Sequence, residues 1–355
     1  MKVFTRFISL FLAAILLQTN VLAQAKANLI VTGRVLDKDT GNPLEAASIY
    51  FAQTTIGTIA DKKGQFSLEV TKPGNYEMVV SMIGYNLQKI SMFIQKGKNY
   101  DYQIKLVPKA LELETVEVIG DEQIEWKRNM EIFKRRLLGE IASANDCTIQ
   151  NLEFVNFKRE AGIITAVCPK PIIITSPYLG YEITAEVNSF YYNRGSNMLE
   201  YSFLPKYKEL TPANQEQKDK WESNRARIYF GSPEHFLWAM KNEKLITEGF
   251  FAYRTFTLNF SKQGIARETP IKSWKDLLLK DQAGDKDVLS FSGYLKVIYK
   301  NLLISCIKLK SGFFTIDENG RTDNHLPFEC SGYWAKYGVA SRLPTDYLPE
   351  KLKNN

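Results

Sequence analysis

Between Leu29 and Val107 the apolar residues recur on alternate positions in short runs broken by turn residues. Leu29, Val31, Gly33 and Val35 alternate with outward-facing neighbours, and Asp37 to Pro43 supplies Asp, Gly and Pro in turn positions. Ala47 to Phe51 is a second strand leading to Thr54–Gly57, and Asp61 to Gly64 is a tight turn before Phe66, Leu68 and Val70. Pro73, Gly74 and Asn75 then separate that strand from Tyr76–Met82, and Ile90–Ile94 and Tyr102–Val107 come after it. About seven short strands at this spacing predict an antiparallel β-sandwich.

Beyond residue 120 the period changes. Trp126, Met130, Phe133 and Leu137 form one helical stripe, with Gly139 placed to end it. Strands are expected at Leu152–Phe157, Ile163–Val167 and Ile172–Thr175. A long strand from Tyr181 should then turn at Asn193–Asn197 into Met198–Leu204. Trp221, Arg225 and Tyr229 share one helical face. Ser232, Pro233 and Glu234 open a second helix as cap, first-turn proline and acid at the positive end, with Phe236, Leu237 and Met240 buried. Strands are predicted again at Phe256–Phe260, Val288–Phe291, Tyr294–Tyr299 and Leu303–Leu309, and a last hairpin from Gly312–Ile316 to Gly332–Trp334. The fold class is therefore α+β: an N-terminal sandwich plus a C-terminal domain of mainly antiparallel sheet with a few helices.

The first residues read as an export signal. Lys2 and Arg6 precede the apolar run Phe7–Leu17, and small or medium residues at Val21, Leu22 and Ala23 predict cleavage after Ala23. The run falls short of the roughly 20 apolar residues that span a bilayer, and no later run reaches that length, so no transmembrane helix is expected in the mature chain. The expected organisation is a signal peptide over 1–23, the sandwich over 24–109, a linker over 110–120, an α+β domain over 121–349 and a tail over 350–355. The expected location is the periplasm or the periplasmic face of the outer membrane.

The sandwich residues resemble a known family. Gly33, Val35, Asp37, Thr40-Gly41, Pro43-Leu44, Ala47, Gly57-Thr58, Asp61, Gly64, Phe66 and Gly84-Tyr85 are similar to the carboxypeptidase-regulatory-like domain. That domain is a transthyretin-like (prealbumin-like) sandwich common in exported proteins of Gram-negative bacteria. The resemblance implies a fold and an accessory role, because the domain accompanies metallocarboxypeptidases without itself hydrolysing peptides. More loosely, Trp126, Phe133, Leu179-Gly180-Tyr181, Trp221, Arg225, Tyr229 to Ser232, His235 to Leu237, Glu248 to Phe250 and Gly332 to Trp334 resemble exported envelope proteins that carry this sandwich in front and have no assigned activity. Residues 110–119 are similar to the stretch after such a sandwich in TonB-dependent receptors. A barrel of about 22 strands at about ten residues each would need about 220 residues before any plug, nearly all of the chain beyond residue 119, where helices are also expected.

Candidate chemistry is sparse. The two histidines, His235 and His325, lack H-x-x-E or H-E-x-x-H spacing, and the chain has no C-x-x-C, so no metal and no cofactor is expected. Asp37, Asp39 and Asp61 lack the D-x-D-x-D-G calcium loop and are expected to organise turns. Cys147, Cys168, Cys306 and Cys330 allow two disulfides or four buried thiols. The formal net charge of +7, reduced by two to +5 without Lys2 and Arg6, comes with no dense basic block, so no nucleic acid partner is expected. Ser232, Glu234 and His235 beside Arg225 and Arg227 are the nearest approach to a catalytic constellation, but the serine is spent as a cap and no G-x-S-x-G surrounds it. Arg225, Tyr229 and His235 are the candidate binding residues, for an acidic ligand. The expected function is a non-catalytic binding or assembly module of the Gram-negative envelope, with an envelope protein or glycan as partner and docking to the outer membrane through sandwich strand edges. The alternative is an envelope hydrolase with its site in the C-terminal domain.

Overall fold

The computed structural model describes residues 29–109, 120–141, 145–195, 198–258, 260–261, 268–279, 287–322 and 327–353; the expected signal peptide, almost all of the expected linker and His325 lie outside them. The first seven strands are β1 (Leu29–Asp37), β2 (Ser48–Phe51), β3 (Gly57–Ile59), β4 (Gln65–Val70), β5 (Gly74–Ser81), β6 (Gln88–Ile94) and β7 (Tyr100–Leu106). They form a sandwich of two sheets, ordered β4-β1-β7 and β3-β2-β5-β6. The alternation read along the chain is the pleat: Val31 and Val35 are buried while Ile30 and Arg34 face outward. Val31, Val35, Ile49, Phe51, Leu68, Met78, Val80 and Ile104 join one core between the sheets. Gly33 is required there, since a Cβ would stand 2.3 Å from the Tyr102 carbonyl and 2.7 Å from the Phe66 ring.

One pairing departs from the antiparallel expectation. β7 runs parallel to β1, Val31 opposite Tyr100 through Asp37 opposite Leu106. The chain crosses from β6 in one sheet to the free edge of β1 in the other, and it arrives there running in the direction of β1. The acidic turns behave as read: Asp37 Oδ1 accepts from the N–H groups of Asp39 and Thr40, both at 2.8 Å, and Asp61 Oδ1 accepts from those of Lys63 and Gln65.

The C-terminal part starts with helix α1 (Gly120–Leu138), whose Met130, Phe133 and Leu137 are buried. It lies on a sheet made of β8 (Thr148–Gln150), β9 (Asn156–Glu160), β10 (Ile163–Val167), β11 (Ile172–Ser176), β12 (Tyr181–Asn193) and β13 (Met198–Glu209). The order is β8-β11-β12-β10-β9, with β13 pairing β12 along its length. Phe133 makes edge-on contacts with Phe157, Phe190 and Phe203 across that face. Helices α2 (Gln215–Tyr229) and α3 (Pro233–Lys241) come next. Beyond them lie β14 (Phe250–Thr255), β15 (Thr269–Ile271), β16 (Asp287–Leu289), β17 (Tyr294–Tyr299), β18 (Leu303–Leu309), β19 (Phe314–Ile316) and β20 (Phe328–Gly332). Five of these form an antiparallel sheet ordered β15-β14-β17-β18-β20, and β16 pairs β19.

Three local expectations are corrected. Leu152–Phe154 is a 3₁₀ turn, because Asn151 takes a left-handed conformation (φ 66°) and reverses the chain before β9. The strand expected over Phe256–Phe260 does not form: β14 stops at Thr255, whose hydroxyl bonds the backbone of Thr257 on both sides, leaving Phe256 68% exposed. Gly312–Trp334 is not a hairpin, since β19 pairs β16 and β20 pairs β18, while Tyr333–Lys336 is a 3₁₀ turn. The expected tail contributes a short helix, α4 (Glu350–Lys353), which buries Leu352. The four cysteines are unbridged.

The sandwich and the C-terminal part are packed together. The Tyr50 hydroxyl donates to the Leu204 carbonyl at 3.0 Å, and Tyr50, Val79 and Leu204 bury one another. The N–H of Gln53 donates to Pro205 O at 2.5 Å and that of Tyr207 to Thr54 O at 3.0 Å, so the turn after β2 borrows ladder bonds from β13. Among the described residues no helix is long and apolar enough to cross a membrane.

Candidate functional site

A cleft of about 320 Å³ lies where the sandwich meets the C-terminal part. One wall is the turn after β2 and the start of β5, including Gln53, Thr55, Asn75 and Tyr76; the other includes Tyr229, Glu234, Trp238, Arg321, Tyr337 and Asp346.

Gln53 sits at φ +64°, a conformation that costs a non-glycine residue about 1 kcal/mol or more. Its N–H is held by Pro205 and its carbonyl accepts from the N–H of Thr345 at 2.7 Å, so the C-terminal part enforces the turn. The residue is only 6% exposed, yet Oε1 has no partner among the described residues. Asn75 repeats the pattern at 7% exposure: its N–H donates to Asp317 Oδ2 at 3.2 Å, while side-chain Oδ1 and Nδ2 are both unpartnered. Glu234 Oε1 is buried and unpartnered as well. Buried polar atoms are satisfied in the great majority of cases, so three such side chains on one cleft mark a place built for something else to bond.

The cations are spent on architecture. Arg321 donates from Nε to Asp317 Oδ2 and from Nη2 to Pro73 O at 2.7 Å, and lies 4.5 Å over the Tyr76 ring. Asp346 accepts from the N–H of Thr55 at 3.1 Å and from its hydroxyl, and burial raises the pKa of its carboxyl. Burial likewise raises the phenols of Tyr76, Tyr229 and Tyr337, which stay neutral hydroxyls.

Of the three residues expected to bind, Tyr229 lines the cleft. Arg225 does not: it is buried, donates from Nε to Leu179 O at 2.8 Å, from Nη2 to Gly180 O and from Nη1 to Glu209, and stacks 4.1 Å over Tyr181. The neighbouring Gly180 (φ +69°) is held against Trp221, whose ring would stand 2.3 Å from any Cβ. His235 is 0% exposed behind Tyr229, ringed by Phe230, Trp238, Phe250 and Tyr299. Its Nδ1 accepts from the N–H of Gly231, so the neutral ring carries its proton on Nε2 and donates to Glu248 Oε2 at 3.2 Å. Burial first, then Lys300 and Lys351, pull its pKa down to about 3. Ser232 Oγ accepts from the backbone N–H of His235 and not from the imidazole, so cap and histidine form no nucleophile–base pair. Among the described residues no three His, Cys, Asp or Glu side chains gather into a metal-ligating group.

The two-sheet arrangement of β1–β7 agrees with a family model. Residues 31–118 match the CarboxypepD_reg-like domain. The match spans about a quarter of the chain, and in this protein the CarboxypepD_reg-like domain supplies the cleft wall that carries Gln53 and Asn75. No curated protein matches the chain. Among solved structures, a DUF3823 family protein from Bacteroides ovatus is 11% identical over 52% of this chain and 82% of its own, with a TM-score of 0.19. Another from Parabacteroides merdae is 10% identical over 51% and 80%, at 0.18. A chain from an interface mutant of a type II cohesin-X-dockerin complex of Acetivibrio cellulolyticus is 15% identical over 28% and 72%, at 0.20. Scores of this size carry no argument about this chain.

Sequence reasoning passed over Gln53 and Asn75 as site residues and weighed Glu234 only in a catalytic constellation with Ser232 and His235. Pro73-Gly74-Asn75 read only as a separator between strands, and the available signal was a bulky glutamine standing where the chain must turn sharply after β2.

Proposed function

We propose that this protein is an exported, non-catalytic binding module of the Gram-negative envelope, taking its ligand in the cleft between the CarboxypepD_reg-like domain and the C-terminal part. The observation that carries the reading is the buried, unpartnered Gln53 Oε1 together with the unpartnered Asn75 carboxamide, on one wall of an aromatic-lined cleft. The cap role of Ser232 and the Nε2 bond of His235 to Glu248 weigh against the hydrolase reading of that trio. Export, and a position in the periplasm or on the periplasmic face of the outer membrane, rest on Lys2, Arg6, the run Phe7–Leu17 and the small residue Ala23. Docking to an outer-membrane partner belongs to the same reading.

The test is native mass spectrometry of the mature chain after incubation with an envelope extract, beside Leu348→Trp, which fills the cleft from its rim. A bound mass on the wild type that is lost in the variant supports the module. Equal adducts on both would move the site away from the cleft. Fractionation of cells producing the chain, with processing after Ala23 read by mass, checks the location separately.

A further inference from the structure

We propose that the cleft takes a neutral polyhydroxylated ring, a mono- or disaccharide, with Gln53 and Asn75 bonding its hydroxyls and the tyrosines and Trp238 packing its carbon faces; this rests on the binding reading above. The free polar groups set the chemistry. Asn75 offers the two N–H donors of its amide nitrogen and a carbonyl acceptor, Gln53 a further acceptor oxygen and Glu234 another, all buried and unpartnered among the described residues. Their complement is a ligand that both donates and accepts at neighbouring positions, which is what vicinal hydroxyls do.

Charge excludes the acidic ligands. Lys72, Arg321 and Arg342 face Glu69, Glu77, Glu234 and Asp346 around the cleft, so cations are outnumbered. Arg321 is fixed by Asp317 and Pro73, and Lys72 and Arg342 are engaged as well. An anion would enter without an uncommitted guanidinium to meet it. A peptide is the weaker fit, because extended peptides are held by rows of open backbone groups. Here the backbone of Gln53 is already bonded on both sides and the N–H of Asn75 is taken by Asp317.

Size and surface agree. About 320 Å³ lies at the small end of the roughly 300–1,000 Å³ of ligand pockets, enough for one or two rings and too little for a polymer. Tyr76, Tyr229, Trp238, Tyr337 and Tyr347 give the cleft aromatic surface with polar tips, suited to a ligand with an apolar face and a hydroxylated rim.

The experiment uses the full mature chain in saturation-transfer NMR and calorimetry. The probes are N-acetylglucosamine, mannose, galactose, maltose and cellobiose, with glucuronate and glycyl-tyrosine as charged and peptide controls. The variants are Asn75→Leu, which removes a buried donor and acceptor at similar size, and Gln53→Gly, which removes the amide and keeps the turn. Binding of a neutral sugar, weakened about tenfold or more in each variant while the melting temperature does not fall, is the expected result. Binding of glycyl-tyrosine alone would overturn the sugar class and leave the binding reading standing. Sugar binding unchanged in both variants, or no binding by any probe, would overturn the proposal. Release of reducing ends from maltose or cellobiose would leave the ligand class intact and sink the non-catalytic reading.

Discussion

The backbone N–H of Thr345 donates to the carbonyl of Gln53 at 2.7 Å, joining the last loop of the chain to the turn after β2. Beside it Asp346 holds Thr55 through backbone and hydroxyl. The CarboxypepD_reg-like domain is therefore built into the molecule on the same residues that shape the cleft.

This joining predicts one cooperative transition on heating. All five tryptophans lie beyond residue 119, so their fluorescence tracks the C-terminal part while far-UV circular dichroism tracks both parts. Coincident midpoints are expected, and Tyr50→Ala, which empties the buried contact with Val79 and Leu204, should lower both curves together by about 3–5 kcal/mol. Separated midpoints would mean the two parts fold independently.

His235 sets a pH dependence. Its pKa is about 3 in the folded chain against an ordinary 6.5, so between those values the unfolded chain binds a proton that the native chain refuses. Stability therefore falls on acidification, by about 1.4 kcal/mol per pH unit inside that window. Glu77, Glu186 and Asp346 have carboxyls raised by burial and act in the opposite direction, so the comparison must be with His235→Gln. The wild-type advantage over that variant in denaturant titrations should shrink from pH 6.5 to pH 4; a constant gap would contradict a neutral buried imidazole.

Arg225 is expected to matter for stability and not for ligand binding. Arg225→Ala strands the carbonyl of Leu179, while that of Gly180 keeps the N–H of Leu210, and should cost about 2–4 kcal/mol; Arg225→Lys should not restore it, because an ammonium cannot span the fork. Glu209 is 59% exposed on its side chain, so Glu209→Gln should stay within about 0.5 kcal/mol. Chemical denaturation of the three variants checks this; a large loss in Glu209→Gln would show that the ion pair to the end of β13, and not the carbonyl clamp on Leu179 and Gly180, holds α2 in place.

The thiols should be slow. Burial raises Cys147, pushes Cys168 up to about 12 and Cys330 up to about 11, leaving little thiolate at pH 8. Alkylation of the native chain is expected to lag far behind that of the denatured chain, which should take up four equivalents, matching the four unbridged cysteines. Two or fewer equivalents after denaturation without reductant would reveal a disulfide.

The seven sandwich strands and the caps of α3 were legible because alternation and Ser-Pro-Glu are local signals whose physics does not depend on distant partners. Leu152–Phe154 and Phe256–Phe260 misled because apolar content was taken for pairing, when a left-handed Asn151 and the Thr255 hydroxyl decide those backbones. Tyr229 was found from its helical face. Gln53, Asn75 and Arg321 were not, since their roles arise only when residues more than 240 positions apart meet, as in the 3.2 Å bond from Asn75 to Asp317.

The tie between Gln53 and Thr345 also bears on how the molecule is made. A chain emerging amino end first completes all seven sandwich strands long before Leu204 arrives to cover Tyr50 and Val79, and longer still before Thr345 does. Closing so distant a contact is slow, and until then β2 and β5 present a bare face to whatever receives the nascent protein. The proposed ligand cleft is thus the last part of the molecule to close, and a chain cut short before Thr345 would lack the wall that closes it.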